Sequence, residues 1–190
     1  MINSLANTTN KLALLLLQSK NYQKQSLEMV RQVSNQSKKP CYVCLNKPYA
    51  EVKEDLENER IPHNNITFVD AVSSHHYPLK PINNCVFVSR IEELNLLKKA
   101  LNKLIEKNGY DVVIFDNITT LLIYKKPDEI IRFTHQLLSE KNQQKISKIF
   151  IVVKERGVYG EEITKLIKDL YLFADKVFEI NNLALKDEVC

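Results

Sequence analysis

The chain has 190 residues, a formal net charge of +4, 44% hydrophobic and 26% charged residues. That composition belongs to a folded domain and excludes a disordered chain, a collagen-like fibre and a coiled-coil rod. Four cysteines are too few for a disulfide scaffold, and Lys and Arg are interleaved with Asp and Glu, which argues against a dedicated nucleic-acid binder and leaves only a weak anion preference. Glycine is the informative count. There are only three, Gly109, Gly157 and Gly160, against an average usage of roughly 7%, and none precedes Gly109.

In chain order, Leu12 to Leu17 is a continuous apolar run, far short of the roughly 20 residues that span a bilayer. Lys11 is its only basic flank, and no small-residue cleavage site follows, so it reads as a strand buried on both faces and not as a signal peptide. Reduced thiols and a cytoplasmic location are expected. A polar stretch, Gln18 to Gln25, separates this strand from a helix predicted to start at Ser26, with Leu27, Val30 and Val33 at helical spacing.

Cys41 to Leu45 is a second buried strand. Cys41-Tyr-Val-Cys44 has the form of a metal or redox half-site, but strand residues three apart point to opposite faces, so both thiols cannot reach one ion. No metal site is expected. Ala50 to Arg60 is a surface helix with Val52 and Leu56 inward. Ile66 to Val69 and Cys85 to Val88 are short strands. The loop between them carries His75 and His76, whose spacing to His63 matches no standard ligand set. Ile91 to Ile105 marks a long amphipathic helix stopped by Gly109.

Val112 to Phe115 is a buried strand ending in Asp116-Asn117. Pro127-Asp128-Glu129 opens a helix that runs to about Lys141, with His135 at its packing edge. Ile149 to Val153, a helix from Glu161 to about Phe173, and Val177 to Ile180 complete the pattern, and residues 181–190 are expected to be a loose tail. Strands alternating with helices predict one domain over residues 1–180. Its expected form is a three-layer α/β/α sandwich with a mainly parallel central sheet.

The order of elements resembles the RecA-like branch of P-loop NTPases, and most closely the KaiC-like ATPase domains of archaea and bacteria. The resemblance is carried by Leu12 to Leu17 with its following loop and helix, by Pro40-Cys-Tyr-Val-Cys-Leu45 and the helix after it, by the Walker B-like Tyr110-Asp-Val-Val-Ile-Phe-Asp116-Asn-Ile-Thr-Thr-Leu-Leu122, and by the following helix and Ile149 to Val153. It spans residues 10–180 and implies a nucleotide site. A Walker A loop reads G-x-x-x-x-G-K-[ST]. Aligned on the lysine, this chain reads Gln18-Ser-Lys-Asn-Tyr22-Gln23-Lys24-Gln25. The lysine is kept, while glutamine replaces both glycines and the hydroxyl residue.

The loop cradles phosphate with converging backbone N–H groups, a nest that needs left-handed residues. Glycine enters that region freely; glutamine enters it at about 1–2 kcal/mol. Ser26 comes one residue late, about 100° further round the helix, and is a poor magnesium ligand. The catalytic acids that follow the family's second strand correspond here to Asn46 and Lys47, neither of which is a general base at neutral pH.

The resemblance therefore implies a pseudo-ATPase with a degenerate Walker A. Its vestigial site would be Gln18, Tyr22, Gln23, Lys24, Gln25, Ser26, Asp116 and Asn117. Tyr22, Gln23 and Lys24 would fill the space, with Lys24 solvated or paired with Asp116. No cofactor is expected; the alternative is ATP with magnesium, bound or weakly hydrolysed. A protein partner or a second copy is expected by analogy, and a membrane is not. The loop after Val153, with Lys154, Arg156 and Tyr159, is the best partner-binding candidate. It also carries the third reading, a nucleic-acid-associated module. Gly157-Val-Tyr-Gly160 in that loop has the form of an RNA-binding clamp, but it follows a strand and precedes Glu161-Glu162, which would repel phosphate.

Overall fold

The computed structural model describes residues 11–73, 82–154, 159–181 and 184–188. Eight strands, β1 (Leu12–Gln18), β2 (Pro40–Cys44), β3 (Thr67–Asp70), β4 (Cys85–Phe87), β5 (Val112–Asp116), β6 (Ser147–Lys154), β7 (Lys176–Asn181) and β8 (Ala184–Glu188), form one sheet in the order β4-β3-β2-β5-β6-β1-β7-β8. The first seven are parallel, and β8 lies antiparallel on β7. The expected three-layer α/β/α sandwich is the observed one.

Helices α1 (Tyr22–Gln36) and α2 (Tyr49–Asn58) cover one face. Helices α3 (Leu94–Asn108), α4 (Pro127–Ser139) and α5 (Gly160–Tyr171) cover the other. β1 sits between β6 and β7 and buries Leu12 through Leu17 completely, which accounts for its unbroken apolar run. Each such leucine contributes about 1.5–3 kcal/mol of burial. Alternating side chains of β1, β2, β3, β5, β6 and β7 feed two cores. Leu14, Val43, Phe115 and Phe150 face α3 to α5; Leu15, Tyr42, Ile114 and Ile151 face α1 and α2. Among the described residues no helix is long and apolar enough to cross a membrane.

Three boundaries differ from expectation. α1 begins at Tyr22, four residues before Ser26, and the expected loop of seven or eight residues after β1 is a single 3-10 turn, Ser19–Asn21. β6 starts at Ser147, two residues early, because the stem of Lys148 is buried with it. Part of the expected tail is β8, whose backbone completes the sheet edge. Gly109 caps α3 at φ 62°, as its position after the last apolar helical residue predicts.

Candidate functional site: the crevice at the carboxyl end of β5

In open α/β sheets, ligands bind outside the carboxyl ends of strands where successive connections leave on opposite faces. β2 leads to α2 on one face, and its neighbour β5 leads to α4 on the other, so their shared ends define such a crevice. Asp116 closes β5 there, in register with Cys44 of β2, and is buried. The Asp116-Asn117 peptide is cis.

The crevice is occupied by the protein's own side chains. Tyr22, in the first turn of α1, donates its hydroxyl to Asp116 Oδ1. Tyr42, two residues before Cys44 and on the same face of β2, donates to Asp116 Oδ2. Asn46 Nδ2 reaches the Tyr22 hydroxyl at 3.4 Å. Just outside, Lys47 Nζ lies 2.6 Å from Asp55 Oδ2, and Gln23 Nε2 donates to Asp55 Oδ1 at 3.1 Å. The first turn of α1 is thus tied to β5, to the loop after β2 and to α2.

Burial pushes the Asp116 carboxyl above the usual carboxylate range. The Tyr22 and Tyr42 hydroxyls and the Lys47 cation pull it down, and Asp55 pushes it up. Both phenols are raised well above their ordinary value, first by burial and then by the charge of Asp116. The protons therefore stay on the tyrosines, and the carboxyl is the acceptor of both bonds.

The backbone here has no nest. Gln18 is extended at φ −81° and ψ 137°, Asn21 lies at φ −115°, and Tyr22 is already helical at φ −50°. Among the described residues the only non-glycine with positive φ is Arg60. With no glycine available, the chain leaves β1 through right-handed geometry, and no run of amides turns inward.

The other expected site residues are placed as follows. Lys24 is exposed on α1, beside Lys20, Leu27 and Arg31, and makes no ion pair with Asp116, whose oxygens accept from Tyr22 and Tyr42; of the two expectations for it, solvated or paired with Asp116, the solvated one is observed. Ser26 is buried and donates back to the Gln23 carbonyl at 3.0 Å, so its hydroxyl is spent within the helix. Gln25 is half-buried and Gln23 exposed. Asn117 lies beside the site and organises the next turn, Ile118–Ile123, accepting from Thr119 Oγ1 at 2.6 Å and from the Thr120 amide at 3.0 Å.

Lys154 pairs with Glu179 of β7 at 2.6 Å. Tyr159 is exposed at the start of α5, and Arg156 lies outside the described residues, as do His75 and His76. His63 approaches the Ile61 carbonyl at 3.0 Å through Nδ1. His135 packs edge-on to Phe173. Cys41 and Cys44 enter opposite cores, and burial pushes the Cys41 thiol up to about 12. Among the described residues no three His, Cys, Asp or Glu side chains gather as a metal site.

Sequence reasoning missed Tyr42, Asp55 and Asp70. The signal for Tyr42 was strand alternation beside Asp116, readable only once β2 and β5 are known to be neighbours. Asp70, buried at the end of β3, accepts from the amides of Tyr49 (2.8 Å), Val72 (2.8 Å) and Ser73 (2.9 Å) and from Ser73 Oγ (2.6 Å), which fixes the start of α2.

No protein-family model matches the chain, and no curated protein matches it in sequence. Solved structures do match. A KaiC-like protein of the hyperthermophilic archaeon Pyrococcus horikoshii, PH0186, aligns with a TM-score of 0.54 at 11% identity, over 93% of this chain and 75% of that one. An uncharacterized protein of the same organism, PH0321, solved in complex with an unknown peptide, aligns with a TM-score of 0.66 at 11% identity, over 96% of this chain and 84% of that one. The domain is therefore an α/β/α sandwich of RecA-like architecture. More particularly, it has a KaiC-like fold.

Proposed function

We propose that this domain is a non-catalytic KaiC-like module, a pseudo-ATPase that serves as a regulatory or interaction scaffold in the cytoplasm and works without a nucleotide cofactor. One observation carries the reading: the Tyr22 hydroxyl sits on Asp116, the acid that would otherwise face a magnesium-bound phosphate. Three others support it. The 18–25 stretch has no left-handed residue to form a cradle. Ser26 spends its hydroxyl on its own helix. The position of the water-activating acid holds Asn46 and Lys47, and Lys47 is engaged by Asp55. What the architecture retains is a rigid doubly covered sheet, suited to presenting surfaces to a protein partner or a second copy. A structural neighbour solved with a peptide is in keeping with that use.

The test is thermal unfolding with and without Mg-ATP. A ligand that binds only the folded state raises the midpoint. An unmoved midpoint at millimolar Mg-ATP supports the scaffold reading. A rise that Lys24→Ala abolishes supports the ATP-binding alternative instead.

A further inference from the structure

Two helices on opposite faces of the sheet carry opposite net charge, only part of which is paired. α3 holds four lysines against one glutamate, a net charge of +3. α2 holds four acids against one lysine, a net charge of −3. Both cover the same end of the sheet. α2 packs beside β3 from one face, through Val52 and Leu56. α3 runs from β4 at the edge back to β5 and so crosses β3 and β2 on the other face, packing through Leu97, Leu101 and Ile105.

On α3, Lys99, Lys103 and Lys107 recur every four residues and are exposed. They form a ridge on the side away from Leu97, Leu101 and Ile105. Among the described residues none of the three has an ion-pair partner, and like charges four apart on a helix repel one another. On α2, Lys53 is paired with Glu57, and Asp55 with Lys47. Glu51 and Glu54 remain exposed with no ion-pair partner among the described residues. The free cations and the free anions thus lie back to back, at one end of one molecule.

We infer that these are the two halves of a self-docking surface, in which the lysine ridge of α3 on one copy seats against the acidic α2 of the next. The two patches differ, so the contact is heterologous and adds copies head to tail, without the closure of a two-fold dimer. Complementary charge makes the contact specific in direction, and screening by salt makes it weak outside dilute buffer. The inference names a partner for the interaction module proposed above and takes its biological role from that reading. Nucleotide binding is read by a separate assay, so either can fail without the other.

Sedimentation velocity of the full chain tests it directly. At low salt the weight-average mass should rise with concentration to at least twice the 22.1 kDa monomer, and it should return to the monomer value at high salt. The triple variant Lys99→Glu, Lys103→Glu, Lys107→Glu should stay monomeric at low salt, as should the double variant Glu51→Lys, Glu54→Lys. An equimolar mixture of the two should associate again, because each reversed patch then meets its complement. These positions are on the surface, and matching far-ultraviolet circular dichroism confirms that the variants fold. A wild-type chain that stays monomeric at low salt overturns the inference, as does association that survives high salt or the triple reversal. A low-salt complex formed only when a single-stranded oligonucleotide is added overturns it in favour of a nucleic-acid partner.

Discussion

Replacing Tyr22 by phenylalanine removes one oxygen and tests whether α1 is held by its bond to Asp116. The ring keeps its packing, so the change isolates the hydroxyl. A hydrogen bond to a charged group contributes about 1.5–3 kcal/mol. Tyr42 still serves the other carboxylate oxygen, which places the loss nearer 2 kcal/mol. For a domain of this size that is a fall in midpoint of about 4–8 °C.

The loss should depend on pH. The Asp116 pKa is raised on folding, so the stability it contributes is present in acid and is lost as pH rises through its folded value. Tyr22 is one of the donors that oppose this shift. Without its hydroxyl the decline continues to higher pH, so the gap between Tyr22→Phe and wild type should widen from acid to neutral. Urea unfolding across that range, in a double-mutant cycle with Asp116→Asn, reads both effects. A Tyr22→Phe protein as stable as wild type at neutral pH, or a gap that narrows on leaving acid, would refute the reasoning.

Lys148 is buried, its ammonium bonded to the Gln143 carbonyl and, at 3.0 Å, to that of Ile146. Burial, with Lys11 nearby, pushes its pKa down to about 8 from 10.5. Its folded form therefore binds fewer protons than the unfolded chain between those values, and stability should rise with pH across that window by up to about 1.4 kcal/mol per unit. Urea midpoints should show the rise in wild type and lose it in Lys148→Met; an identical slope in both would remove the assignment. Asp70→Ala strands the three amides and one hydroxyl that the carboxylate holds, and should cost about 3 kcal/mol by chemical denaturation. Asp70→Asn, which keeps an acceptor oxygen, should cost less. Equal losses would mean that the hydrogen bonds do not matter.

The layered fold was legible because its signals are local. Leu12 to Leu17 and Val112 to Phe115 are apolar without a break, as strands buried on both faces must be. Gly109 and Pro127 punctuate helices where glycine and proline fit. The start of α1 was not legible in the same way. Tyr-Gln-Lys-Gln offers no apolar periodicity, and a resemblance to a loop-bearing family assigned those residues to a loop. The absence of glycine pointed to the opposite outcome, since a chain that cannot turn left-handed continues into the helix. The placement of Tyr22 and Tyr42 on one carboxylate needed the order of strands, which parallel crossovers set across long sequence separations and no local pattern encodes. β8 was missed because Ala-Leu-Lys-Asp-Glu lacks strand formers.

On the proposed reading, Tyr22 and the helical path of residues 19–25 stand where a triphosphate would lie. Crystals grown with magnesium and a non-hydrolysable ATP analogue test it most directly. Tyr22 is expected on Asp116, with α1 beginning at Tyr22 and no triphosphate density beside them. A triphosphate wrapped by the amides of residues 18–25, with the tyrosine displaced from the carboxylate, would contradict it.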